Sequence, residues 1–324
     1  MANCHDLFLE FRDNLKVTDT KRSSLKRSKD ELRERIEKYF KENHPGYVPD
    51  FFIQGSYKMK TIIRIKDDTC DLDDGIHFKC EPDVSPTTLQ RWVYQAVEGH
   101  TTGGQQHMDK CIRVIYKNDY HIDLPVYKQA EGDEFLFLAV KDKKWDEEES
   151  DPKGFVEWYK GKKTDLMTRL VRYLKAWGDN IRNDMPSGLA MTLFAQKYIK
   201  PNKRDDISMK DSLIEMRDNL KVRWEAVMPT KPEDDILSKY SPAFKTNFLK
   251  ALDDFIADAE KAIDESSQLK ASKLWRKHLG SRFPLGEDDD ASNKSSVIGQ
   301  SERGIHKPYF FIDRKSEDGF DERN

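Results

Sequence analysis

No stretch of this chain approaches the roughly 18 consecutive apolar residues that a membrane-spanning helix needs, and the mean hydropathy is −0.84. Membrane association is therefore not expected. There is also no secretory leader pattern, and the only cysteines, Cys4, Cys70, Cys80 and Cys111, show no C-x-x-C or C-x-x-H spacing. That excludes a disulfide framework and a structural zinc site and leaves reduced thiols in a cytoplasm as the expectation. Neither sign of charge is in excess, with 56 Lys and Arg against 59 Asp and Glu and a net charge of −3. A chain of this balance has no global field for a nucleic-acid duplex, so DNA is not an expected requirement. The basic cluster Lys21, Arg22, Lys26, Arg27 and Lys29 has no aromatic residues beside it and reads as an exposed helix face. A Walker phosphate loop, G-x-x-x-x-G-K-[ST], is missing as well.

What is present is enough chain, 324 residues, for two ordinary domains. Charged residues make up 35% of it, yet apolar periodicity persists throughout, so a folded protein is expected rather than a disordered polyampholyte. From about residue 18 to 43, Leu25, Leu32, Ile36 and Phe40 recur at helical spacing, which predicts a long amphipathic helix ended by His44-Pro45-Gly46. Residues 48–140 change to short β-rich runs at 51–54, 72–78, 111–116, 120–127 and 135–140, interrupted by one helix that opens at Ser85-Pro86. After the acidic stretch 142–154 the pattern turns helical, with stripes near 166–177, 187–198, 244–263 and 269–279. The fold class expected is α+β and two-lobed, a mixed β-sheet core with flanking helices followed by a helical lobe. The boundaries are 1–155 for the core with its N-terminal helix, 156–286 for the helical domain, and 287–324 for a mobile linker and tail in which Tyr309-Phe310-Phe311-Ile312 could dock back.

Chemistry concentrates in three places. Gln54-Gly55-Ser56-Tyr57-Lys58 stands where a strand ends and a helical turn begins, so that Gly55 lets backbone approach a phosphate and Ser56 adds a hydroxyl donor. Asp71 and Asp73 in Asp71-Leu72-Asp73-Asp74-Gly75 share a strand face, because side chains alternate, and Asp74 points away. Asp123 sits alone in the apolar run His121-Ile122-Asp123-Leu124-Pro125-Val126, where burial is costly unless the carboxylate is paired or binds a cation. His121 is read as facing away from Asp123, a packed or solvent histidine. Three convergent carboxylates suit two Mg²⁺ ions, with Mn²⁺ as an alternative, and such a pair moves a nucleotide from a triphosphate to a hydroxyl.

These residues resemble the polymerase beta-like nucleotidyltransferase superfamily and, more narrowly, the bacterial CD-NTases, relatives of cGAS and DncV. Leu174-Lys175-Ala176-Trp177 and Pro186-Ser187-Gly188 are similar to the helical-domain signature of that family, and Trp275-Arg276-Lys277 with Arg282-Phe283-Pro284 to its closing segment. The resemblance implies an ATP-binding, magnesium-dependent enzyme that joins nucleoside triphosphates into a cyclic di- or trinucleotide messenger for anti-phage defence. That product acts on a separate effector, and activity is constitutive or under a protein partner. By position it implies Asp71, Asp73 and Asp123 as catalytic metal ligands, and Gln54, Gly55, Ser56, Lys175 and Ser187 as nucleotide-binding residues. Arg113 would contact a base or phosphate. A solvated Lys175 and a Ser187 that merely caps a helix stay open, as do a linear-product synthase and an inactive nucleotide-binding scaffold.

Overall fold

The computed structural model describes residues 1–117, 119–145 and 149–287. A short helix, α1 (His5–Asn14), precedes the long helix α2 (Asp19–Asn43). The Thr18 side chain accepts a hydrogen bond from Lys21 N and Asp19 stands in the first turn, where side-chain capping and the helix dipole favour both. Leu25, Leu32, Ile36 and Phe40 are wholly buried along one stripe. The helix stops at Asn43, just ahead of Pro45, which disfavours helical backbone at the residue before it.

A mixed sheet follows. Its strands are β1 (Pro49–Gln54), β2 (Asp71–Phe78), β3 (Gln105–His107), β4 (Ile112–Tyr116), β5 (Tyr120–Leu124), β6 (Val126–Lys128), β7 (Leu136–Leu138) and β8 (Glu149–Ser150), with α3 (Gly55–Lys58) after β1 and α4 (Pro86–Ala96) after β2. The order is β3-β4-β5-β2-β6-β7-β8, with β1 also paired to β2. Strand β2 therefore has β1 antiparallel on one side and β5 with β6 parallel on the other. The single strand expected over 120–127 is broken at Pro125, which has no N–H to give a ladder, while its carbonyl still accepts from Ile76 N at 2.8 Å.

The helical half comprises α5 (Pro152–Lys162), α6 (Asp165–Ile181), α7 (Gly188–Tyr198), α8 (Asp205–Val222), α9 (Pro242–Asp264) and α10 (Gln268–Leu279). Two hydrophobic clusters result. One joins the sheet to α2 and α4 through Leu72, Ile76, Leu89, Val93, Ile122 and Leu124. The other gathers α5–α10 around Trp177, Phe248, Phe255 and Trp275, and it also takes in α1. Phe8 of α1 meets Tyr173, Trp275 and Phe283 edge-on at ring distances of 5.1, 4.9 and 5.0 Å. Met59 and Ile63, just after α3, belong to this helical cluster too, so the turn that follows β1 is anchored to the second half.

Of the basic cluster on α2, Lys26 and Arg27 are exposed as expected, Arg22 is half-buried, and two residues differ. Lys21 is buried, with Nζ 3.0 Å from Asp119 Oδ1 and 3.2 Å from Asp68 Oδ2, and Lys29 is buried with Nζ 2.6 Å from Asp30 Oδ1. Their chains lie along apolar surface and only the ammonium finds acids, a placement long lysine stems permit. Among the described residues no helix is long and apolar enough to cross a membrane. The expected linker and tail, with Tyr309-Phe310-Phe311-Ile312, lie outside the described residues.

Candidate active site

Strand register brings the three aspartates together. In the parallel pair β2–β5, Asp73 is directly opposite Asp123, and Asp71 is opposite His121. Register partners share a face, and so do residues two apart on one strand. Asp71, Asp73, His121 and Asp123 therefore all project to the same side of the sheet, which corrects the reading of His121 as turned away. His121 and Asp123 are two residues apart, and the parity that pairs Asp71 with Asp73 pairs them as well. Burial and the Arg113 charge hold the His121 imidazole below its usual range, against the pull of Asp123 and Asp71.

Asp74 occupies the opposite face, where it is fully buried and takes a two-pronged ion pair from Arg33 of α2, Nε to Oδ2 at 2.8 Å and Nη2 to Oδ1 at 2.5 Å. Asp73 has no such partner among the described residues. Burial first, then the charges of Asp71 and Asp123, raise its carboxyl well above the usual carboxylate range, and Lys175 and Arg113 oppose the rise only in part. Crowded carboxylates in a covered site are short of positive charge.

Gly55 explains how Asp73 fits. It has φ +61°, and a Cβ there would lie 2.1 Å from Asp73 Oδ2, so the missing side chain makes room for the aspartate. Ser56 follows at the start of α3; its carbonyl accepts from Thr61 N at 2.9 Å and Ile62 N at 3.1 Å. Ser56 lines the cleft, and its hydroxyl makes no hydrogen bond to the described residues. Gln54 Oε1 accepts from the Tyr127 hydroxyl at 3.1 Å.

Lys175 reaches this turn from α6. Its Nζ lies 3.4 Å from both the carbonyl and the hydroxyl of Thr61, and burial pulls its ammonium down to about 8 although Asp71 and Asp73 favour the charge. It is not a solvated surface lysine. Its stem passes Gly188, where a Cβ would stand 3.3 Å from Cε. Ser187 caps α7, its hydroxyl accepting from Ala190 N at 3.3 Å.

A cleft of about 900 Å³ opens above these residues, lined by Gln54, Gly55, Ser56, Asp71, Asp73 and Lys175 and closed on the helical side by Asp179, Arg182 and the segment Met228 to Lys239. That segment joins α8 to α9 and was not singled out from the sequence. Its polar residues, Lys231, Asp234, Asp235, Ser238 and Lys239, carry no spacing signal and reach the cleft only through tertiary placement. Asp123 does not line the cleft. Arg113, opposite it in the antiparallel β4–β5 pair, donates Nε to Oδ1 at 2.8 Å and Nη2 to Oδ2 at 2.7 Å. Among the described residues no three His, Cys, Asp or Glu side chains form a ready metal site. The donor chemistry nonetheless fits a hard divalent cation at Asp71 and Asp73, whose electrostatics call for one.

Residues 49–127 match the family model of the cyclic GMP-AMP synthase DncV-like nucleotidyltransferase domain. They run from β1 through β6, the strands that carry all three aspartates. The chain is also 30% identical over 234 residues to a cyclic GMP-AMP synthase of Escherichia albertii, taking in 63% of this chain and 51% of that protein. It thus spans about half the length of the curated relative it matches. Among solved structures, the DncV cyclic AMP-GMP synthase of Vibrio cholerae, a prokaryotic cGAS homolog, superimposes with a TM-score of 0.74 at 19% identity, covering 87% of this chain and 97% of that one. The same enzyme in complex with the linear intermediate 5′ pppA(3′,5′)pG gives 0.74 at 18% identity over 87% and 97%. The fold of the DncV-like domain and of the helical half is therefore shared.

Proposed function

We propose that this chain is a divalent-metal-dependent nucleotidyltransferase that joins nucleoside triphosphates into a cyclic di- or trinucleotide. The observation that carries the reading is the register pairing of Asp73 with Asp123, beside Asp71, on the sheet face behind the Gly55-Ser56 turn. Asp71, Asp73 and Asp123 would hold two divalent ions, Mg²⁺ or Mn²⁺. Such ions stabilise charge on the leaving pyrophosphate and lower the pKa of an attacking hydroxyl.

The protein groups supply positioning. The Ser56 hydroxyl, free toward the cleft, offers a donor to a phosphate oxygen, and Lys175 reaches the same turn from the other side, a charge able to leave Thr61 for a triphosphate. Gln54, next to Gly55, contacts the donor nucleotide, and Ser187 fixes the start of α7 over it. The acceptor oxygen bonds to the α-phosphorus as the bond to the β-phosphate breaks and pyrophosphate leaves. Two such transfers in one cleft give a cyclic dinucleotide, and three a cyclic trinucleotide, because each linear product still bears a triphosphate and returns as donor. The DncV structure with a linear pppApG intermediate supports this order. We further infer that the product is a messenger in anti-phage defence, made in the cytoplasm and acting through a separate effector, with synthesis constitutive or governed by a protein partner.

The test is incubation of the full chain with Mg²⁺ or Mn²⁺ and all four nucleoside triphosphates, followed by phosphatase and mass spectrometry. A cyclic product survives phosphatase because it has no terminal phosphate. A phosphatase-sensitive ladder would transfer the assignment to a linear synthase, and no pyrophosphate release under any of these conditions would sink the enzyme.

A further inference from the structure

The three aspartates are aligned by register, yet among the described residues they form no ready metal site, and one of them already carries a cation. Arg113 and Asp123 face each other across β4 and β5, and the guanidinium fork meets both carboxylate oxygens. A carboxylate that receives two parallel N–H donors has little left for a cation. The Asp123 side chain is 11% exposed, whereas that of Arg113 is 31% exposed. The acid is covered and the base can be reached. Asp71 and Asp73 line the cleft and take part in no ion pair among the described residues.

We propose that Arg113 is the resident cation of Asp123: it keeps this carboxylate closed to a divalent ion until an anionic group of the bound nucleotide takes the guanidinium, so that the metal site is completed only around substrate. A guanidinium fork matches phosphate as well as it matches carboxylate, which makes the exchange one of like for like. Asp71 and Asp73 would hold one divalent ion, and Asp123 would be free to help hold a second once Arg113 leaves it. Arg113 acts here as a positioning residue, through Asp123. The inference rests on the function proposed above for the same cleft.

Mn²⁺ binding to the full chain, read from the electron paramagnetic resonance of the free ion, tests it without turnover. Without nucleotide, Arg113→Gln should bind Mn²⁺ at least about tenfold more tightly than the parent, since one positive charge leaves the site. Adding Asp123→Asn should erase that gain. Arg113→Lys keeps the charge without the fork and should fall between parent and Arg113→Gln, which keeps the test decisive even if the glutamine variant folds poorly. In the parent, a non-hydrolysable ATP analogue should add a bound ion. Equal Mn²⁺ affinity in the parent and the Arg113 variants, or a gain that persists with Asp123→Asn, overturns the proposal. If the parent releases no pyrophosphate while Arg113→Gln binds Mn²⁺ more tightly, the enzymatic reading fails and the gate stands.

Discussion

The two faces of β2 bear neighbouring aspartates that meet opposite fates. On the back face, Asp74 is fully buried among Leu72, Ile76 and Phe78, and Arg33 of α2 satisfies it with two hydrogen bonds. On the front face, Asp73 is crowded by Asp71 and Asp123 and its carboxyl is driven upward. His77, further along the same face, is buried with both ring nitrogens unpartnered among the described residues. Burial, then Lys153 and Lys79, push that imidazole down to about 4, against a smaller pull from Asp50. The contrast separates what the strand does for the fold from what it holds in reserve. A buried charge with its partner in place is structure, whereas a buried charge without one is a request for a ligand.

Substitution at adjacent positions should break the molecule in different ways. Asp73→Asn is expected to lower pyrophosphate release by about a thousandfold or more, while the thermal midpoint holds or rises because a repulsive charge is gone; a clear loss of stability would erase the distinction between the faces. Asp74→Ala should do the reverse, costing about 3 kcal/mol in urea unfolding because the half-buried Arg33 loses its acid. Activity per folded molecule should persist. Gly55→Ala brings a methyl group onto Asp73 and adds strain at a positive φ, so turnover should fall about a hundredfold through displacement of the carboxylate. Parental kinetics in that variant would show that Asp73 need not stand where it does.

The smallest effect concerns pH. His77 has a folded pKa of about 4 against an ordinary value of 6.5, so between these limits the unfolded chain binds the proton and the folded one does not. Its contribution is fully present above the ordinary value and is lost as pH falls through the interval, by about 2–3 kcal/mol at pH ~4.5. His77→Phe should remove that part of the slope, measured as the difference in urea stability between pH ~7 and ~4.5. An unchanged difference would mean that the front face tolerates a proton at His77.

Much of this was legible because period-two alternation is a local property. The separation of Asp71 and Asp73 from Asp74 followed from parity alone, and so did the helical stripe of α2 from its own period. Parity also places His121 with Asp123, against the expectation that it turns away. Other features needed partners far along the chain. Strands β3 and β8 are short and polar, Gln105–His107 and Glu149–Ser150, and offer no alternation to read. Helix α8 begins with two buried acids, Asp205 and Asp206; Arg169 and Tyr173 satisfy the first and Arg204 the second, so its stripe looks too charged to be inward. Arg113 stood in the sequence as a contact for a base or phosphate, and only the β4–β5 register revealed that it pairs with Asp123.

The close approach at Gly55 has a genetic corollary. Every single-base change that replaces glycine introduces either a stop or a residue with a Cβ, and each such Cβ would collide with the Asp73 carboxylate. This position has no neighbouring codon through which it can drift. In a saturation library selected for product formation it should appear as an empty column, while Ser56 beside it, which lines the cleft and already carries a Cβ, should still admit a few small replacements.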